Sequence, residues 1–242
     1  MTVSFGWGPV EARALAPAAA CVVVVDVLSF TTAVGVAVEG GTAVLPYRWR
    51  DATAAAYARE KDAVLAVGRS EATPAHPWTL SPAALRAAPR PPRLVLPSPN
   101  GSTIAAEAAS GGARVVAASL RNHSAVARRL ADRGYGTADR PLAVIASGER
   151  WPDGSLRPAL EDLLGAGAVL SAFVRTHTLT PEATAAATLW DATEDPVAVL
   201  HGCDSGRELY EYGFPQDVAV AAEIDTSAVV PVLVEGAFQE AP

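Results

Sequence analysis

The run CVVVVDVL, residues 21–28, constrains the fold more than any other segment of this chain. Its valines are β-branched and stiff at χ1, which favours extended backbone. With nothing polar before Asp26, both faces of such a strand need protein cover, as in the interior of a largely parallel sheet. The stretch AAACVVVV that ends at Asp26 is far short of the ~20 apolar residues that span a bilayer. No basic region precedes an apolar stretch at the N-terminus, so no signal peptide is read and a cytoplasmic protein is expected.

The rest of the chain alternates apolar strands with helical segments. Strands are expected at 42–47, 63–67, 93–97, 114–118, 142–146 and 228–234. Helices are expected at 31–39, at 51–60 with Asp51 as N-cap, and at 101–110 and 123–133. A long helix is expected from Pro158 to about Arg175, and another from an N-cap at Thr180 with Pro181 at its first position. Residues 194–212 read as helical pieces. Residues 68–92 contain six prolines and little periodicity. They are read as a long loop with one helical turn near Ser81–Ala88, either functional or a surface insertion. Strands separated by helices imply crossover connections. The expectation is one α/β domain over 1–242, three-layer α/β/α, with a mixed, largely parallel sheet. Pro46 and Pro231 place their strands near sheet edges, and the 228–234 strand is a candidate edge for pairing in a homodimer.

Net charge is −7 and no basic stripe interleaved with aromatics occurs, which argues against nucleic-acid binding. An anionic ligand must therefore be held by a local site. Neither cysteine belongs to a disulfide framework or a zinc spacing.

In open α/β sheets, ligands bind beyond the carboxyl ends of the strands. Four successive strand ends in this chain are rich in hydroxyls, amides and acids: Asp26, Ser29, Thr31 and Thr32; Ser98, Asn100, Gly101, Ser102 and Thr103; Ser119, Arg121, Asn122 and His123; Ser147, Gly148 and Glu149. Asp26, inside an apolar run, needs a partner for its charge, either a divalent cation or amides of the following helix. The Asn100–Thr103 segment opens a helix, whose free N–H groups favour a phosphate, or it is a simple turn and cap. Glu161 and Asp162 fall in the first turn of the 158–175 helix, where acids hold a metal or catalytic water or merely complement the helix dipole. Glu149 could join them, and Arg150 and Arg157 could bind an anion.

Several hydrolytic chemistries are excluded. The second acid of an Asp-x-Asp phosphatase is replaced by Leu28, and the arginine of a Cys-x5-Arg site by Leu209. No Gly-x-Ser-x-Gly elbow or Walker A loop is present. The four histidines show no metal spacing; His123 is either a substrate contact or a helix-start residue.

The segments VVVVDVLSFTTAVGVAVEGG, PSPNGSTIA, ASLRNHSAVA, IASGERWPDGSLRPALEDLLGAG and SGRELYEYGFPQDVAVAAEID occur in an order that resembles the 2-phosphosulfolactate phosphatases. The resemblance implies a three-layer α/β fold. It also implies Mg²⁺-dependent hydrolysis of 2-phospho-3-sulfolactate to sulfolactate and phosphate, a step toward coenzyme M. Asp26, Glu161 and Asp162 then become the catalytic and metal-binding residues. Ser29, Thr31, Thr32, Ser98, Asn100, Gly101, Ser102, Thr103, Arg121, Asn122 and Glu149 surround a small phosphorylated anion. The first motif departs from the family's Asp-x-Leu-Arg-Ala-Thr-Thr: Ser29 and Phe30 stand at the Arg and Ala positions. In the central loop only Gly68 and Ser81–Pro82 match the family, and Arg69 is the candidate replacement for the lost cation. The competing expectation is a non-catalytic binding protein for a small anionic metabolite, or a phosphatase of another phosphomonoester.

Overall fold

The structure, a computed structural model, describes residues 1–49 and 51–240. In chain order the elements begin β1 (Val3–Trp7), α1 (Gly8–Leu15), β2 (Cys21–Val25), α2 (Phe30–Glu39), β3 (Ala43–Tyr47), α3 (Ala52–Glu60), β4 (Val64–Leu65) and α4 (Pro82–Ala87). There follow β5 (Arg93–Pro97), α5 (Gly101–Ser110), β6 (Arg114–Ala118), α6 (His123–Asp132), β7 (Leu142–Ala146), and the short strands β8 (Glu149–Arg150) and β9 (Leu156–Arg157). The chain then forms α7 (Leu160–Ser171), α8 (Pro181–Ala192), α9 (Pro196–Gly202), α10 (Asp204–Glu211), α11 (Pro215–Ala221), β10 (Pro231–Val234) and β11 (Ala237–Glu240).

Nine strands form one sheet in the order β1-β7-β2-β6-β10-β11-β3-β5-β4. The valine run behaves as its composition requires, since every residue of β2 is buried. Val23 and Val25 point with Val144 and Val116 toward α6, α7 and α8. Val22 and Val24 point with Ile145 and Val115 toward α1, α2 and α5. Period-two alternation thus feeds two cores, one on each face, and the fold is α/β with helices around a mixed, mostly parallel sheet. Helix α2 is buried from Phe30 through Val38, as expected for a helix apolar all round. No helix among the described residues is long and apolar enough to cross a membrane.

Two parallel blocks, β1-β7-β2-β6 and β3-β5-β4, are joined through the antiparallel hairpin β10–β11. β10 is antiparallel to β6, and β11 to β3. Counted strand to strand, the second block therefore runs opposite in sense to the first. Helix α5, which follows β5, packs over β2, β3 and β6, and the Gly101 N–H at its start reaches Asp26 after β2.

The structure corrects several sequence expectations. The 228–234 strand is no edge: β10 lies inside the sheet between β6 and β11, so the basis for strand pairing across a dimer is gone. Pro231 opens the strand, and its missing N–H costs the ladder little there. β3 is also internal, but β11 reaches it only at Val44, so Pro46 lies past that contact. Helix α7 begins at Leu160 and ends at Ser171. Pro158 precedes it, because residues 156–157 pair with β8. In the central loop the expected helical turn near Ser81–Ala88 is present as α4, which Ser81 Oγ caps by accepting from Ala84 N; the added feature is a 3₁₀ turn at Arg69–Glu71. Asp51 and Thr180 cap α3 and α8 as expected.

Candidate active site

The ends of β2, β5 and β7 meet at Asp26. Its Oδ1 accepts from Phe30 N at 2.9 Å, at the start of α2. Its Oδ2 accepts from Gly101 N at 3.1 Å, at the start of α5, and from Ser147 Oγ at 3.2 Å, after β7. Two helix N-termini therefore point their free N–H groups at one carboxylate. A side chain at position 101 is impossible here: a Cβ would lie 2.3 Å from the Phe30 ring and 2.8 Å from Asp26 Oδ2. Gly101 is thus a glycine of close approach.

Asp162, in the first turn of α7, clamps the loops after β2 and β7. Oδ1 accepts from Val27 N at 2.7 Å and Oδ2 from Gly148 N at 2.8 Å. Gly148 presents that amide with φ +67, in the left-handed region. Glu161 is equally buried and stands beside the Cys203 thiol. Glu149 Oε2 accepts from Asn100 Nδ2 at 3.0 Å, and Asn100 Oδ1 accepts from Arg150 Nε at 3.1 Å. The third strand end thereby closes onto the segment after β5.

The electrostatics follow from packing acids together out of water. Burial pushes the Asp26 carboxyl above its ordinary range, against the pull of Phe30, Ser147 and Gly101, and Glu161 adds repulsion. Burial also raises Asp162 well above its usual value, with further repulsion from Asp26 and Glu161. Glu149 is pushed up to about 8, first by burial and then by Asp26 and Glu161. Cys203 is raised to about 12 by burial and then by Glu161, so it is a neutral thiol rather than a nucleophile.

The remaining expected residues divide between turn-holding and more distant roles. Thr31 Oγ1 accepts from Asp26 N and donates to Asp26 O, and Thr32 Oγ1 donates to Val27 O. They hold the backbone of the Asp26 turn. Ser102 and Thr103 donate to Leu96 O and Pro99 O, fixing the entry to α5. Ser98 is buried, its amide bonded to Tyr47 O. The β6 end is directed elsewhere. Arg121 pairs with Glu39 and Glu223, and Asn122 bonds Ser119 N and Val229 O. His123 packs edge-on against Trp190. Arg157 is taken by both oxygens of Glu208.

Ser29 is contacted from the central loop: Arg69 Nη2 donates to Ser29 Oγ, while Arg69 Nε donates to buried Asp217. Asp217 has no signature in sequence beyond an acid in the first turn of α11, and its contact with residue 69 is wholly tertiary. Among the described residues no three His, Cys, Asp or Glu side chains stand together as a ready metal cage. The donor chemistry still suits a hard cation, since Mg²⁺ is usually held by one or two carboxylates together with water and substrate phosphate.

Comparison with known proteins agrees with this architecture. The family described as 2-phosphosulpholactate phosphatase matches residues 10–236. A probable 2-phosphosulfolactate phosphatase of Deinococcus radiodurans is 31% identical over 218 residues, covering 88% of this chain and 87% of that protein. The proteins of the same description from Thermus thermophilus and Pseudothermotoga lettingae are 30% and 28% identical. They cover 88% and 91% of this chain, and 87% and 92% of their own lengths. By this match over nearly its whole length, the chain belongs to the 2-phosphosulfolactate phosphatase family.

Proposed function

We propose that the protein is a cytoplasmic phosphatase of small phosphorylated 2-hydroxy acids that hydrolyses 2-phospho-3-sulfolactate to sulfolactate and phosphate, a step toward coenzyme M. The observation that supports this best is the meeting of three strand ends on Asp26 through Gly101 N and Ser147 Oγ. Asp26 and Glu161 are the residues that would hold Mg²⁺, with Glu149 and Asp162 beside them. When bound, the cation would supply charge neutralisation for the phosphate in a dry site.

The chain's own groups account for the rest. Asp26, oriented by three donors, is the reacting carboxylate, as nucleophile or as base for water. The Ser102 and Thr103 amides at the α5 N-terminus, which Asp26 does not take up, would orient phosphate oxygens. Glu149, hydrogen-bonded to Asn100 at the rim of the acid cluster, is the group that would give a proton to the leaving alcohol oxygen as the bond to phosphorus breaks. Asp162 keeps the two loops in register through its backbone bonds.

Phosphate release from 2-phospho-3-sulfolactate, with and without Mg²⁺, tests the reading. Asp26→Asn should lower the rate by ~10³-fold or more, and a chelator should abolish turnover. Full activity in the variant or in chelator defeats it. Thermal stabilisation by the substrate without phosphate release would point to a binding protein.

A further inference from the structure

A cavity of about 710 Å³ opens between the central loop and the α10–α11 corner. Leu80, Pro97, Leu209 and Phe214 form its apolar walls, and the Arg69–Glu71 turn closes one side. Among the described residues lining it, Arg69 is the one cation.

Arg69 is held from several directions at once. Nε donates to Asp217 Oδ2 at 3.0 Å, the guanidinium lies 5.7 Å from the Phe214 ring centroid, and Nη2 donates to Ser29 Oγ. Asp217 is 0% exposed and also accepts from Ser81 Oγ and from Ala83 N, so elements far apart in sequence fix it before it aims the arginine. Arg69 nevertheless keeps 20% of its side chain accessible. A guanidinium has five N–H donors; Asp217 and Ser29 engage only part of that fork. Ser29 belongs to the Asp26 turn, so Arg69 lines the cavity and at the same time touches that turn. Asp51 and Glu71 also line the cavity, but both are exposed and accept from the nearby Thr53 N and Gly68 N. Their charge disfavours an anion farther out and leaves the Arg69 end as the place for one.

Building on the proposed phosphatase reading, we infer that Arg69 is the specificity-determining residue of the site. It binds the anionic group on C3 of the substrate, the carbon next to the phosphorylated one and opposite the C1 carboxylate, and Asp217 is the positioning residue that aims it. A planar fork suits either a sulfonate or a carboxylate.

The test uses three 2-hydroxy acids that share the C1 carboxylate and differ at C3: sulfolactate with a sulfonate, malate with a carboxylate, and lactate with an uncharged methyl. Affinities are measured by calorimetry on the full-length protein. The wild type should bind sulfolactate or malate ~10-fold or more tightly than lactate, and whichever is tighter identifies the group. Arg69→Met should abolish that preference. Arg69→Gln, which keeps a donor for Asp217, reads the same ratio if the methionine variant does not fold. A wild type without preference, or variants that retain it, overturns the inference. Phosphate release is not read here, so a protein without turnover would end the proposed function and leave these affinities decisive for Arg69.

Discussion

Two acidic regions of this molecule handle charge in opposite ways. At the ends of β2 and β7 and the start of α7, Asp26, Glu149, Glu161 and Asp162 crowd one another. The bonds that hold Asp26, Asp162 and Glu149 come from amides and a hydroxyl. Around α11, by contrast, Asp217 receives Arg69, and Glu223 receives Arg86 and Arg121. Asp26, Glu149 and Asp162 are raised, whereas Glu223 is lowered, chiefly by its bond from Arg86. Burial without a countercharge and pairing with arginines at a half-exposed position thus move carboxyls in opposite directions. A region that is dry and negative gains from an added cation; a region whose charges already cancel does not.

The sharpest way to break this contrast is to unpair the matched region. Asp217→Ala would strand Arg69, Ser81 and the Ala83 amide, and should cost about 3 kcal/mol of stability in urea denaturation. A wild-type midpoint would show that the arginine brace does not hold the central loop. In the crowded region, Asp162→Asn removes a repelled charge but turns an NH₂ group toward Val27 N or Gly148 N. The lost acceptor should outweigh the relief, with a net cost of ~1–2 kcal/mol by the same measurement. A stabilised variant would mean that repulsion, not the backbone clamp, dominates there.

The pH dependence separates the regions by sign. Glu149 is raised from 4.5 to about 8 in the folded protein. Its stabilising share is complete below pH ~4.5 and is lost as pH rises toward ~8. Metal-free protein should melt at progressively lower temperature across that window, Glu149→Gln should flatten the fall, and Mg²⁺ should reverse it. Glu223, lowered, contributes above its unfolded value and loses that share on acidification. A metal-free melting temperature that rises from pH 5 to 8 would contradict the first assignment. The smallest effect is expected at Arg13, which pairs with Glu107 from a side chain that is 71% exposed. Arg13→Ala should leave the denaturation midpoint indistinguishable from wild type.

How much could be read in advance depended on the range of the interaction. The valine run and the helix caps at Asp51 and Thr180 are signalled by residues a few positions apart, and the structure uses them as expected. β1 gave little signal because Val3–Trp7 is short and is placed by parallel pairing with β7, far along the chain. The β10–β11 hairpin turns at Glu235 and Gly236, both with positive φ, without the Asn-Gly or Asp-Gly pair that usually marks such a turn. Arg121 illustrates the limit at the site: it follows a strand end as a ligand-binding residue would, yet its guanidinium turns to Glu39 and Glu223.

The amino-acid sequence alone determined the alternation of buried strands and helices, and the small set of acids, amides and glycines at the strand ends, because pattern and capping act over a few residues. Only the tertiary structure decided that a hairpin joins two oppositely running blocks, that Asp26 is shared by three strand ends, and that Arg69 reaches Ser29 under the guidance of Asp217. Those outcomes depend on which distant segments pack together, and no local spacing encodes the partner of a side chain more than a hundred residues away.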